Sequence, residues 1–184
     1  MNWKTVFEVC YQEFPGITEQ QLEMVLNSWN KPLSKEEIMD ISKRQCNPFP
    51  KSDPMYPLYK PFDPAKWTIP TNRLPASYLD LLRYCNGGEF ATGERHFQFF
   101  SGDELRAMLL AYEFPQYMPG AVPFAMDGCG HHYVWDMRSD QNQAEYPILV
   151  AHSGNLGYED ALPIAGTLIE LCKGTISVEN LLYE

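Results

Sequence analysis

The residues best suited to chemistry gather late in the chain. Three of its four histidines, His131, His132 and His152, lie there with Asp127 and Asp136. If strands over residues 121–151 pair, these five side chains could converge, and imidazole with carboxylate is a common donor set for a divalent metal. The spacing argues against such a site. His131 and His132 are adjacent, so on a strand they point to opposite faces. No HExxH motif, no EF-hand loop and no Cys/His zinc spacing occurs. These groups read as polar residues on turns and an exposed sheet face, with no metal and no cofactor expected.

A nucleophile would have to be Cys85 or Cys129 working with a histidine. Cys85 falls on the apolar face of a predicted helix, where burial keeps a thiol inert. Cys129 sits in a glycine turn near His131 and is the one cysteine whose reactivity merits a test. Ser153-Gly154, in HSGNLG, does not form a GxSxG elbow. The acid pairs Asp103-Glu104 and Glu159-Asp160 read as helix-cap and loop carboxylates that complement a helix dipole and keep the surface soluble. No catalytic constellation emerges.

The elements around these residues follow from periodicity. Trp3, Val6, Phe7 and Cys10 recur at i, i+3, i+4 and i+7, which predicts a helix over residues 3–14, ended by Pro15-Gly16. Thr18 can cap a second helix with Leu22, Val25, Leu26 and Trp29 inward. Ser34 and Glu37 form a capping box for a third, with Ile38 and Ile41 on one face. Residues 1–47 thus read as a helical N-terminal extension. Eight prolines then fall within residues 48–75, which excludes helix or central strand. Phe49, Met55, Tyr56, Tyr59, Phe62 and Trp67 make this piece too apolar for a free linker. Residues 48–73 are expected to lie as an irregular segment across the domain surface, a polyproline-II ligand being the alternative.

Residues 74–184 carry the mixed part. LPASYLDLLRYCNGGEF places Tyr78, Leu81, Leu82 and Cys85 on one helix face, with Asn86-Gly87 taking the left-handed conformation that stops it. The glycines follow the helix, so this is no phosphate loop. A strand over 96–100 leads to a Ser101/Glu104 capping box and a helix with Leu105, Met108, Leu109 and Tyr112 inward, broken over 113–119. Strands are expected over 121–126, 132–137 and 146–151, with Pro123 marking an edge or a strand start, Tyr133, Trp135 and Met137 sharing a face, and a polar turn at 140–143. Thr167 and Glu170 cap a last helix that stops at Gly174, and Ser177 can cap a terminal turn. The order is α+β, not a βαβ repeat.

Composition narrows the function classes. Hydrophobic residues make up 45% and charged residues 21% of the 184, an ordinary globular balance. No apolar run approaches the length of a membrane span, and the N-terminus does not resemble a signal peptide. The five cysteines are scattered without a CxxC pair, which reads as reduced, mostly buried thiols in a cytoplasmic protein. The net charge of −10 is uneven. Residues 1–70 hold 8 basic and 9 acidic side chains, whereas residues 71–184 hold 6 and 15, a net −9. Such a surface repels nucleic acid and anionic membrane and attracts a basic partner.

The pattern LPxSYxxLLxxxNGG, followed by a strand, a capped helix, Pro119-Gly120 into an apolar strand, and Asp127-Gly128-Cys129-Gly130 before an aromatic strand, resembles the SMI1/KNR4 family of the SUKH superfamily. The likeness runs from about Leu74 to Leu182. Cys129 replaces a glycine of the family's second turn, His131-His132 follow it, and the Pro-rich segment replaces a short helix before Leu74. The resemblance implies a largely antiparallel sheet packed by helices on one side, and a binding protein. Many bacterial relatives are immunity proteins that neutralise a cognate toxin, often a nuclease; fungal relatives act in cell-wall regulation. An acidic face would then meet a basic toxin cleft, with Glu89, Glu94, Asp103, Glu104, Asp127, Asp136, Glu159 and Asp160 as contact candidates. A regulatory or scaffolding module, which would need long disordered flanks, is the alternative. An enzyme of unknown class comes third and would need a histidine–acid cluster in a deep pocket.

Overall fold

A computed structural model describes residues 2–139 and 144–182. Seven strands form one sheet in sequence order, every neighbour antiparallel: β1 (Val9–Glu13), β2 (Gly88–Thr92), β3 (Arg95–Phe99), β4 (Ala121–Met126), β5 (His131–Asp136), β6 (Ile148–His152) and β7 (Leu162–Ala165). Seven helices accompany them among the described residues: α1 (Glu19–Leu26), α2 (Lys35–Arg44), α3 (Ala76–Tyr84), α4 (Gly102–Ala111), α5 (Phe114–Tyr117), α6 (Leu168–Lys173) and α7 (Val178–Leu182). The fold is α+β with an antiparallel sheet, as the sequence suggests. The polar turn expected at 140–143 lies outside the described residues, but β5 and β6 on either side of it pair from His131↔His152 to Trp135↔Ile148.

The capping residues act where the sequence places them. Thr18, Ser34 and Ser101 each accept a backbone N–H from three residues on, while Gln21, Glu37 and Glu104 reach back, completing three capping boxes. Thr167 caps α6 by accepting the Glu170 N–H. Leu22, Val25 and Trp29 are buried as expected, whereas Leu26 is exposed. Arg106 of α4 fastens the front of the chain to the rest. It donates to the carbonyls of Trp29 (2.9 Å) and Lys31 (2.8 Å) and to both carboxylate oxygens of Glu37.

The first predicted helix is absent. Trp3–Thr5 make a single 3-10 turn and Val9–Glu13 form β1, paired with β2 from Val9↔Ala91 to Glu13↔Gly88. The helical spacing of Trp3, Phe7 and Cys10 is met another way. Trp3 is buried, and the Phe7 ring stacks on Phe90 at 4.5 Å between centroids. The tertiary aromatic contact outweighs local periodicity, and Cys10 stays exposed on the sheet's edge. Cys46, past the end of α2, and Cys129, at a turn tip, are also exposed; only Cys85 and Cys172 are buried. That corrects the expectation of mostly buried thiols.

Three further expectations change. Pro123 lies inside the sheet, on β4, rather than at an edge. It is tolerated because β3 pairs with β4 only at Gln98↔Met126 and Phe99↔Ala125, and the β5 ladder shifts register beside it. Asn86 does not adopt the left-handed conformation. Gly87 (φ 90°) and Gly88 (φ 144°) do so, while the Asn86 carboxamide oxygen accepts the Gly102 N–H at 2.8 Å. Residues 113–119, expected to be irregular, contain α5, entered through Glu113 at φ 58°. β7 was not foreseen at all.

Apolar side chains cover both faces of the sheet's centre, not the single face implied by the resemblance. Tyr133, Trp135, Ile148 and Val150 face one way, into a core with Tyr78, Leu81, Leu82, Phe90, Phe97, Phe124 and Leu171. Val134, Leu149 and Ala151 face the other, under Leu109, Phe114 and Met118. The Pro-rich segment is irregular apart from 3-10 turns at Tyr56–Leu58 and Pro64–Lys66. Trp67 pins it by stacking with Phe62 and donating its indole N–H to Gln116 (2.9 Å).

Gly16 marks the closest approach of the front segment to α3. A Cβ built there would lie 1.9 Å from the Arg83 carbonyl oxygen. Backbone cannot yield as a side chain can, so Gly16→Ala is expected to destabilise the fold by about 1–3 kcal/mol, the usual cost of overpacking. Denaturant unfolding measures this, and an unchanged midpoint would contradict the contact.

Candidate interaction surface

The eight acidic candidates are spread over several elements, from β2 to the loop before β7, and several already have structural work. Asp127 is buried. Its carboxylate accepts the N–H groups of Cys129 (2.8 Å) and His131 (2.9 Å) and meets His131 Nδ1 at 2.7 Å, which closes the turn between β4 and β5. Asp136 is bound by both arms of the Arg138 guanidinium, which holds its carboxyl below the usual carboxylate range. Arg138 in turn lies over the Tyr158 ring at 3.5 Å. Glu104 closes the α4 capping box, accepting from the Ser101 N–H at 2.8 Å.

The other five are more open. Glu89 stands on β2, on the sheet face opposite Phe90, 2.9 Å from His96 Nε2. The other nitrogen of that ring, Nδ1, lies 3.0 Å from the Asp127 carbonyl oxygen. His96 therefore links Glu89 to the β4–β5 turn. Glu94 accepts from Asn180 and Asp160 from Asn155, each at 2.8 Å. Asp103 and Glu159 are exposed, with no hydrogen-bond or ion-pair partner among the described residues.

Sequence reasoning missed the exposed apolar residues beside Glu89. Val9, Tyr11 and Phe14 are 41%, 63% and 45% accessible. The Tyr11 ring lies 5.7 Å from His96. The alternation of Val9 and Tyr11 with Cys10 was the available signal, but the longer helical spacing masked it. Helices α4 and α5 cover this sheet face near β4.

The histidines separate as adjacency requires. His131 stays partly exposed on Asp127, and its ring lies 5.3 Å from that of His152 across the β5–β6 ladder. His132 is fully buried on the opposite face, among the rings of Tyr112 (4.2 Å), Phe114 (5.3 Å) and Phe100 (6.2 Å). Ser153 Oγ donates to the Gly130 carbonyl at 2.7 Å and lies 3.0 Å from His132 Nδ1. Nδ1 therefore carries the proton and donates to Ser153, leaving Nε2 without a partner among these rings. Burial lowers the His132 pKa to about 4.

Among the described residues, no three His, Cys, Asp or Glu side chains converge as a metal-holding group. Burial pushes the Cys85 thiol up to about 11, so it is protonated and unreactive at neutral pH. The hollow nearest His132, about 400 Å³ in volume, is lined by Tyr112, Glu113, Ser153 and Asn155 among others. The imidazole itself stays beneath it. The geometry defines a rigid sheet with one open end, edged by carboxylates and a few exposed apolar side chains.

A family model for the SMI1/KNR4 family (SUKH-1) matches residues 71–171, and the chain belongs to that family. The matched span takes in α3 through most of α6 and leaves β1, α1 and α2 outside it. No curated protein matches the chain. Among the described residues no helix is long and apolar enough to cross a membrane.

The buried histidine gives the fold an acid limit. Its folded pKa lies below its unfolded value near 6.5, so the unfolded chain binds the extra proton more readily. The stabilisation is complete above pH 6.5 and is lost as pH falls toward 4, by about 3 kcal/mol in all. His132→Phe should flatten this part of the stability–pH curve in denaturant titrations; an unchanged slope would refute the assignment.

Proposed function

We propose that this chain is a non-catalytic binding protein of the cytoplasm, an immunity protein that neutralises a cognate bacterial toxin by occupying or blocking its active cleft. The observation that carries this reading is the net −9 over residues 71–184, which contain the family-matched span. A nuclease must hold phosphates, so its cleft is basic. An acidic surface of fixed shape is attracted to it, and long-range charge speeds the encounter. The chain itself makes and breaks no bond.

Asp103 and Glu159, together with Glu94 and Asp160, are the carboxylates most available for contact. Glu89 is held in place by His96. Asp127, Asp136 and Glu104 contribute to the field while their oxygens serve the fold. Exposed apolar side chains would supply most of the affinity, since isolated surface charges contribute little.

The direct test is co-expression with any toxin domain that an adjacent reading frame encodes. Cells that die with the toxin alone should survive with both, and equal killing in the two cases would overturn the reading. Affinity for that toxin should also weaken at least about tenfold between roughly 0.05 and 0.5 M salt, because screening shortens the reach of the acidic field. A flat salt response would show that charge does not drive association.

A further inference from the structure

The sheet has two edges, and they are treated differently. β7 carries Pro163 at its middle and leads straight into α6, which packs against it. Proline on an edge strand removes a donor that another chain could use. β1, at the other edge, contains neither proline nor lysine, and all five of its residues are exposed. Among the described residues, its outer backbone groups face no other strand of the sheet.

The charge around β1 is one-sided. No basic residue occurs between Lys4 and Lys31, a stretch that holds Glu8, Glu13, Glu19 and Glu23. Glu8 accepts the Gly93 N–H at 2.9 Å, and Glu13 accepts the Tyr84 hydroxyl. These neutral donors fix the two carboxylates without cancelling their charge. Glu89 lies opposite Gln12 on the neighbouring strand. Two arginines of the neighbouring elements are occupied: Arg95 is buried and donates to the carbonyls of Ile176 and Leu171, and Arg83 pairs with Glu19 at 2.7 Å. The register shift between Cys10 and Gln12 sets Tyr11 outside the regular ladder. Such a bulge discourages indiscriminate pairing while presenting one apolar ring beside the edge.

We propose that β1 is a docking strand: an extended segment of a partner protein, bearing lysine or arginine at alternate positions, adds to the sheet beside it. Tyr11 and Val9, on one face, are the apolar anchors, and Glu8 and Glu13, on the other, draw the incoming cations. Main-chain hydrogen bonds supply affinity in this mode and alternate side chains supply selectivity. The proposal rests on the reading of this chain as a binder of basic proteins. A second copy of the chain is disfavoured as the occupant. Antiparallel self-pairing about Tyr11 would place Glu8 and Glu13 of both copies along one short ladder with no cation between them, in molecules that each carry −10.

The test needs no toxin, so its outcome is separate from that of the co-expression experiment. The full chain, labelled with nitrogen-15, is titrated with a synthetic octapeptide of alternating Lys and Val. Amide shifts should centre on Val9–Glu13 and the facing part of β2, and a peptide of alternating Glu and Val should not bind. Val9→Lys and Tyr11→Ala should each weaken binding by at least about tenfold, as expected for loss of an anchor at the contact. Tyr11 is largely in water and Val9 partly so, so folding is expected to persist; Tyr11→Ala, at the more exposed position, carries the test should Val9→Lys fail to fold. Shifts centred on Asp103 or on Glu159 and Asp160, equal binding of the two peptides, or unaffected binding by the variants would overturn the proposal. So would β1 shifts that depend on protein concentration without peptide, which would mark a second copy as the occupant.

Discussion

Phe7 stacks on Phe90, Phe97 on Phe99 and Phe124 on Trp135, and Tyr78 meets Trp135 edge-on at 4.9 Å. Behind Phe7, these rings run along one face of the sheet from β2 to β5 and hold helix α3 against it. Large flat side chains bury much area with few torsions to fix, and their preferred offsets make the packing directional. The Tyr78 hydroxyl donates to the Phe100 carbonyl, so the polar tip of this buried ring is satisfied. The front of the chain is drawn into the same row through Trp3 and Phe7, which is why β1 belongs to the sheet even though the family match begins about sixty residues later.

On the other face the solution differs. Helices α4 and α5 cover β4 to β6, and His132 sits among their aromatic rings as a neutral side chain. Toward β1 that face opens, and its polar residues link to one another: Glu89 to His96, His96 to the Asp127 carbonyl, and Asp127 to His131. The carboxylates of this family member therefore do two jobs. Some, such as Asp127 and Glu104, are spent on turns and caps. Others keep their charge in water, where it can act at a distance.

Local rules written in the sequence explain much of this. The capping boxes at Thr18, Ser34 and Ser101, the stop after Tyr84, and the alternation of Tyr133, Trp135 and Met137 are all short-range signals, and the structure contains each of them. That His131 and His132 point to opposite faces could be read from their adjacency. What escaped was decided by distant partners. Phe7 looks helical until Phe90 is beside it. Pro123 looks like an edge residue until the short β3–β4 ladder is known. α5 begins at a left-handed Glu113, which no propensity announces. The open sheet end and its exposed Tyr11 were hidden for the same reason as β1 itself. Charge imbalance was legible at once, because it is additive and needs no geometry, but which carboxylates are free depends on partners far away in sequence.

The connectivity has a kinetic consequence. Six pairings join seven consecutive strands, yet the loops between them are unequal. β2 and β3 are separated by two residues, whereas Val9 must find Ala91 across most of the N-terminal half of the chain. Closing that span carries the largest entropic cost of the six, because loop-closure entropy grows with the length enclosed. During synthesis β1 leaves the ribosome first and waits unpaired until β2 has followed it.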